Sequence, residues 1–176
     1  QYEDDALYLI AQKADGALRD ALSIFDRLST FSQKNITLAK AAEVLNILDY
    51  DQYLKVVDFA KENKIPEVLF AFNEIVKKGF DPHIFIAGLG NHFRDLMMAQ
   101  NTSTIELIEV GEKTKAKFVE QSQKWSPQQL IDAIEICNHA DINYKNSKNP
   151  RLTVEIALMQ LASLTANSDV TKKKSS

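Results

Sequence analysis

Each of the four prolines in this 176-residue chain stands where a helix can begin, and that placement limits the fold more than any other feature. Proline lacks an N–H and has a fixed φ. It breaks the hydrogen-bond ladder inside a helix but is well tolerated in the first turn. Pro66 opens a segment whose Leu69, Phe72, Ile75 and Val76 recur at helical spacing until Gly79 stops it. Asp81 and Pro82 place a capping carboxylate ahead of proline, followed by Ile86, Leu89, Phe93, Leu96 and Met97. Ser126, Pro127 and Gln129 join a capping box to a first-turn proline, and the helix they open carries Leu130, Ile134, Cys137 and Tyr144. Asn149 and Pro150 restart the chain for a last amphipathic helix over 152–164. These starts predict an all-α protein.

The residues before Pro66 follow the same rule with shorter elements. Asp4 or Asp5 is expected to cap a first helix with Leu7, Ile10 and Ala14 inward, ended by Gly16. In the stretch from Asp15 to Leu28, Leu18, Ala21, Leu22, Phe25 and Leu28 form one apolar stripe. Arg19 lies off the stripe in the first turn, with Asp15 and Gly16 before it as cap and breaker. The positive end of the helix dipole disfavours a guanidinium there, by a few tenths of a kcal/mol up to ~1. A cation beside free backbone N–H groups suits an anionic partner such as phosphate, although most helix arginines are solvated surface charges. Thr37 then caps a third helix carrying Leu38, Ala41, Leu45 and Leu48. Asp49 to Asp51 is an acidic break and the expected domain boundary, with a longer helix from Tyr53 to Glu62 beyond it. Further on, Gly88 and Gly90 inside the Pro82 helix imply close helix contact or a bend. Ser103 and Glu106 predict a capping-box start, and helix is preferred over strand for 102–110 because no partner strand appears elsewhere.

The run Gly16, Arg19, Asp20, Ala21, Leu22, Ser23 resembles the Gly-Ser-x-Arg-Asp-Ala-Leu-Ser signature of bacterial clamp-loader ATPase subunits of the AAA+ family, the gamma/tau subunits of DNA polymerase III among them. This chain departs from it at Ala17, where the family usually has serine. Pro150, Arg151, Leu152 and the segment from Val154 to Leu158 are similar in pattern to that family's final collar helix. The resemblance implies a short helical AAA+ lid remnant at 1–48 followed by a helical-bundle collar and oligomerisation domain at 49–166. It implies that Arg19 is the "sensor 2" residue touching the γ-phosphate of ATP, with ATP and Mg belonging to the parent protein. It implies as partners the other clamp-loader subunits through the collar, and a sliding clamp and primed DNA through the complete assembly, with self-association also open.

Other chemistry is sparse. The net charge of −3 argues against a stand-alone nucleic-acid grip. A single cysteine, Cys137, on an apolar face excludes an intrachain disulfide and fits a buried thiol in a reducing compartment, and the resemblance implies a bacterial cytoplasmic setting. No apolar run suits a membrane span. The phosphate-cradling Gly-x-x-x-x-Gly-Lys-Ser/Thr loop is missing, so this stretch is expected neither to bind ATP tightly nor to hydrolyse it. The chain begins at Gln1 rather than Met, which suggests a piece of a longer protein. His83, His92 and His139 are too scattered for a metal site and read as helix surface or cap residues. Trp125 is expected to staple the start of the Ser126 helix. Residues 167–176, ending in Lys172, Lys173 and Lys174, read as a disordered tail or linker start. The competing function is a helical adaptor or scaffold module with no nucleotide connection.

Overall fold

The computed structural model describes residues 1–173, with side chains described through 166. Among the described residues there are nine α-helices, one 3-10 turn and no strand. The helices are α1 (Asp4–Ala14), α2 (Leu18–Phe31), α3 (Leu38–Leu45), α4 (Tyr50–Lys61), α5 (Ile65–Lys77), α6 (Pro82–Ala99), α7 (Glu112–Ser122), α8 (Pro127–Tyr144) and α9 (Pro150–Lys173). The all-α expectation holds, and the starts marked by proline are where helices begin. Asp81 accepts from the His83 N–H, and Ser126 and Gln129 close both halves of their capping box. Gly79, at φ +90°, adopts the left-handed conformation that glycine enters without a Cβ penalty.

Two apolar clusters form. The smaller joins α1, α2 and α3 through Ala6, Leu9, Ile10, Leu28, Ile36, Ala41, Ala42 and Leu45. The larger begins at Leu48 and fills the bundle of α4 to α9, with Phe72, Phe85, Phe93, Phe118 and Leu130 fully buried. Both interior glycines of α6 mark close contacts. A Cβ on Gly88 would overlap the Tyr53 phenol, and one on Gly90 would lie 3.1 Å from the Cys137 Cβ of α8. Cys137 is buried, and burial pushes its thiol well above the usual range. Trp125 is buried just before α8, edge-on to Phe93 of α6 at 5.4 Å between ring centroids, which ties the start of α8 to α6.

Several local expectations need correction. Glu3, not Asp4 or Asp5, occupies the N-cap position of α1, and Asp15 is the left-handed C-cap of α1 rather than the cap of α2. Of the stripe on α2 only Leu28 is buried, while Leu18 is 74% exposed and Leu22 56% exposed. No helix begins at Ser103. Its hydroxyl and N–H both donate to Asn101 Oδ1, a 3-10 turn covers Ile105–Leu107, and α7 starts only after Gly111. The local Asn101 turn outcompetes the capping box.

His92 is not a surface residue. It is buried between the rings of Tyr53 and Phe118 and bonds Gln121 Oε1 at 2.7 Å. His83, uneasy at a helix N-terminus, meets Asp141 Oδ1 at 2.7 Å and stacks on Tyr144 at 4.5 Å. Finally, α9 extends through Lys173 rather than ending near 164. The tail expected at 167–176, with its lysines, lies outside the residues whose side chains are described.

Candidate functional site

The connection from α1 to α2 is two left-handed residues, Asp15 at φ 49° and Gly16 at φ +77°. It delivers Ala17 to the N-cap of α2 in an extended conformation. Ala17 has no side-chain oxygen, and no side chain caps this helix. Its carbonyl accepts the first helical bond, from Ala21 N–H at 3.0 Å. The amides of Leu18, Arg19 and Asp20 therefore point out of the helix end without an intrahelical acceptor. This is where serine in the resembled signature would place a capping hydroxyl, so the departure at Ala17 leaves the helix end more open to an outside acceptor.

Arg19 is exposed, and its side chain makes no hydrogen bond or ion pair among the described residues. Leu18 and Leu22, one turn apart, stand exposed beside it. Two apolar side chains and a guanidinium thus share the open end of one helix. Burying Leu18 and Leu22 against another surface would gain roughly 1.5–3 kcal/mol each at full burial. The arrangement can dock an apolar surface and, at its edge, hold an anion against three backbone donors and one fixed positive charge.

A second surface lies on the bundle. Ile131 and Ile142 of α8 and Leu152 and Ile156 of α9 are exposed apolar residues. A groove of about 370 Å³ between α8 and α9 is lined in part by Ile136, Asn143, Thr153 and Ile156. A larger cavity, about 590 Å³, sits between α1, α4 and α6 and is lined by Gln12, Tyr50, Tyr53, His92 and Asp95 among others. Burial raises the Asp95 carboxyl above its usual range, although Arg94 bonds it at 3.1 Å. Among the described residues no group of His, Cys, Asp or Glu could hold a metal ion. No described helix is long and apolar enough to cross a membrane.

Arg19, expected at a helix start, lies in the first turn of α2. Asp5, unmarked as a bridging residue in the sequence, crosses from α1 to accept from the Gly111 N–H and the Thr114 hydroxyl at the start of α7. No local pattern could have announced a cap supplied from 106 residues away.

Comparison with known proteins gives these surfaces a context. Residues 36–174 match the family "DNA polymerase III subunits gamma and tau domain III". Residues 1–34 match "DNA polymerase III clamp loader subunit, ATPase lid domain". The DNA polymerase III subunit tau of Bacillus subtilis is 27% identical over 161 residues, covering 92% of this chain and 29% of that protein. Protein STICHEL-like 2 of Arabidopsis thaliana is 26% identical over 170 residues, covering 97% of this chain and 19% of that protein. The solved Bacillus subtilis DNA clamp loader delta protein superposes with a TM-score of 0.59 at 20% identity, over 93% of this chain and 51% of that one, a likeness of fold. The chain thus spans less than a third of the length of either sequence relative.

Proposed function

Because the chain belongs to the family of DNA polymerase III gamma and tau subunits, we propose that it is the lid and collar part of a clamp-loader subunit, coupling the ATP state of an AAA+ core to sliding-clamp loading. In this reading the open end of α2 is the lid's working edge. Leu18 and Leu22 dock on the ATPase core, and Arg19 reaches the γ-phosphate of ATP bound there. The exposed, unpaired state of Arg19 beside an uncapped helix end is the observation that supports this most. A guanidinium already engaged within its own unit could not serve as a sensor. ATP brings the anion whose charge offsets the unfavourable cation at the helix start, so the lid closes when the γ-phosphate is present.

The collar in this reading is the bundle of α4 to α9, and its apolar residues on α8 and α9 face neighbouring clamp-loader subunits. We place the lid–collar boundary at 48/49. The matched family ranges divide the chain after residue 34, ahead of α3. Packing supports a boundary beyond α3, because α3 shares a cluster with α1 and α2; Leu48, the last residue on the lid side, already packs in the other cluster. The clamp and primed DNA are partners of the complete assembly. An adaptor role without nucleotide gains no support from the matched families.

The test is Arg19→Ala in the full-length subunit. A charge-assisted contact of about 1.5–3 kcal/mol corresponds to a tenfold or greater fall in ATP-dependent clamp loading, and that fall is the expected result. Loading at the wild-type rate would remove the sensor role.

A further inference from the structure

Gly111 is the N-cap of α7, and its lack of a side chain leaves that position without an acceptor of its own. The acceptor comes from α1. Asp5 is only 8% exposed; its Oδ1 accepts the Gly111 N–H at 2.6 Å and its Oδ2 accepts the Thr114 hydroxyl at 2.8 Å. Both carboxylate oxygens are thereby used, at the helix end whose dipole favours negative charge. The fit leaves no room for a larger residue. A Cβ on Gly111 would stand 2.7 Å from Asp5 Oδ1, 2.9 Å from its Cγ and 3.2 Å from its backbone nitrogen.

A second bond continues the contact along the same face of α1. Gln12, seven residues on from Asp5, donates through Nε2 to the Glu109 carbonyl at 3.1 Å. The two apolar clusters have no residue in common. With no shared core, these directional bonds, joined by the Tyr50 hydroxyl donating to Gln12 Oε1 at 3.5 Å, hold one unit against the other.

We propose that Asp5 is a positioning residue that locks the lid to the collar, so that the two turn as one rigid body. Any movement driven at the open end of α2 is then carried to the bundle undiminished, and the yielding joint lies on the far side of the lid. The lock itself needs only the geometry of α1 against α7, and its part in passing on movement from α2 rests on the nucleotide reading.

The experiment measures orientation directly. Nitroxide labels on D26C in α2 and E120C in α7, both exposed positions, report the lid–collar distance by electron–electron double resonance on the protein at its full natural length. The unaltered background should give one narrow distance distribution. D5A, which deletes the acceptor, and G111A, which displaces it, should each at least double the width while far-UV circular dichroism keeps its helical signal. D5N should stay close to the starting width, because an amide can accept from Gly111 and donate to Thr114. Should D5A fail to fold, T114V removes one bond without added bulk and should still broaden the distribution. An unchanged width in G111A and in either D5A or T114V would overturn the lock. Because the readout is a distance, it keeps its meaning whether or not Arg19 senses a phosphate.

Discussion

Phe93→Ala should cost about 3–5 kcal/mol of stability, the usual range for deleting a fully buried phenyl ring. Phe93 sits mid-way along α6 with no exposed surface, in the cluster that joins α6 to α8, and its ring meets Trp125 edge-on. The void left behind cannot collapse easily. Gly90 already brings α6 against Cys137 of α8, so the two helices cannot move closer along that line. For a chain of this size each kcal/mol lowers the melting midpoint by about 2–4 °C, so a fall of roughly 10 °C is expected. Trp125 is the sole tryptophan, which makes intrinsic fluorescence a probe at the altered site, with circular dichroism as the second readout. Phe70→Ala is the control. Phe70 is 71% exposed, and its removal should change stability by no more than about 0.5 kcal/mol. A Phe93 variant that melted within 3 °C of the parent would mean that the α6–α8 core does not hold the bundle.

Lowering the pH from about 6.5 to about 4 should remove about 3 kcal/mol through His92 alone. Burial disfavours the imidazolium and pushes this histidine down to about 4, outweighing the opposing effects of the Gln121 bond and the Asp58 charge. The unfolded chain protonates near the ordinary value of about 6.5. Between those values the unfolded state holds a proton that the folded state refuses, so folding stability drops as the pH falls. Above 6.5 and below 4 this group adds no slope. The neutral ring donates from Nε2 to Gln121 Oε1, and the Gln121 amide in turn donates to the Leu54 carbonyl at 2.8 Å. Protonation would place a charge between Tyr53 and Phe118, with burial favouring the neutral form. Urea unfolding at pH 7, 6, 5 and 4, followed by Trp125 emission, should show the loss in the parent and a flatter profile in His92→Gln. Equal slopes in the two proteins would show that another group carries the acid sensitivity.

What could be seen in the sequence was what local chemistry decides. The starts of α6 and α8 depend on a cap and a proline within three residues, and those residues behave alike in any surroundings. The tightness around Gly88 and Gly90 was likewise legible, since glycine within a helix is unfavourable unless something occupies the missing side chain's place. Burial was less legible, because it depends on a partner. The stripe on α2 has the periodicity of a core face, yet Leu18 and Leu22 point away from their own unit. Periodicity reports that a face is apolar, not which molecule covers it.

His92 illustrates the opposite error. A histidine on an otherwise apolar helix reads as exposed until a glutamine 29 residues later supplies the bond that lets it stay inside. At 101–110 one asparagine side chain redirected the backbone, and the N-cap of the next helix moved eight residues on, from Ser103 to Gly111. Of the candidate site, Arg19 and its place in the first turn were legible. The missing capping hydroxyl at Ala17 was legible too, whereas the neighbouring exposed leucines became interpretable only with the helix in place.

If Arg19 is the lid's sensor, it distinguishes a nucleotide with a terminal phosphate from one without. The most direct measurement is the affinity of the full-length subunit for ATP and for ADP, in the parent and in Arg19→Ala. The variant should lose tenfold or more in ATP affinity and keep its ADP affinity, since the contact is to the γ-phosphate alone. An equal loss for both nucleotides, or no loss for either, would contradict it.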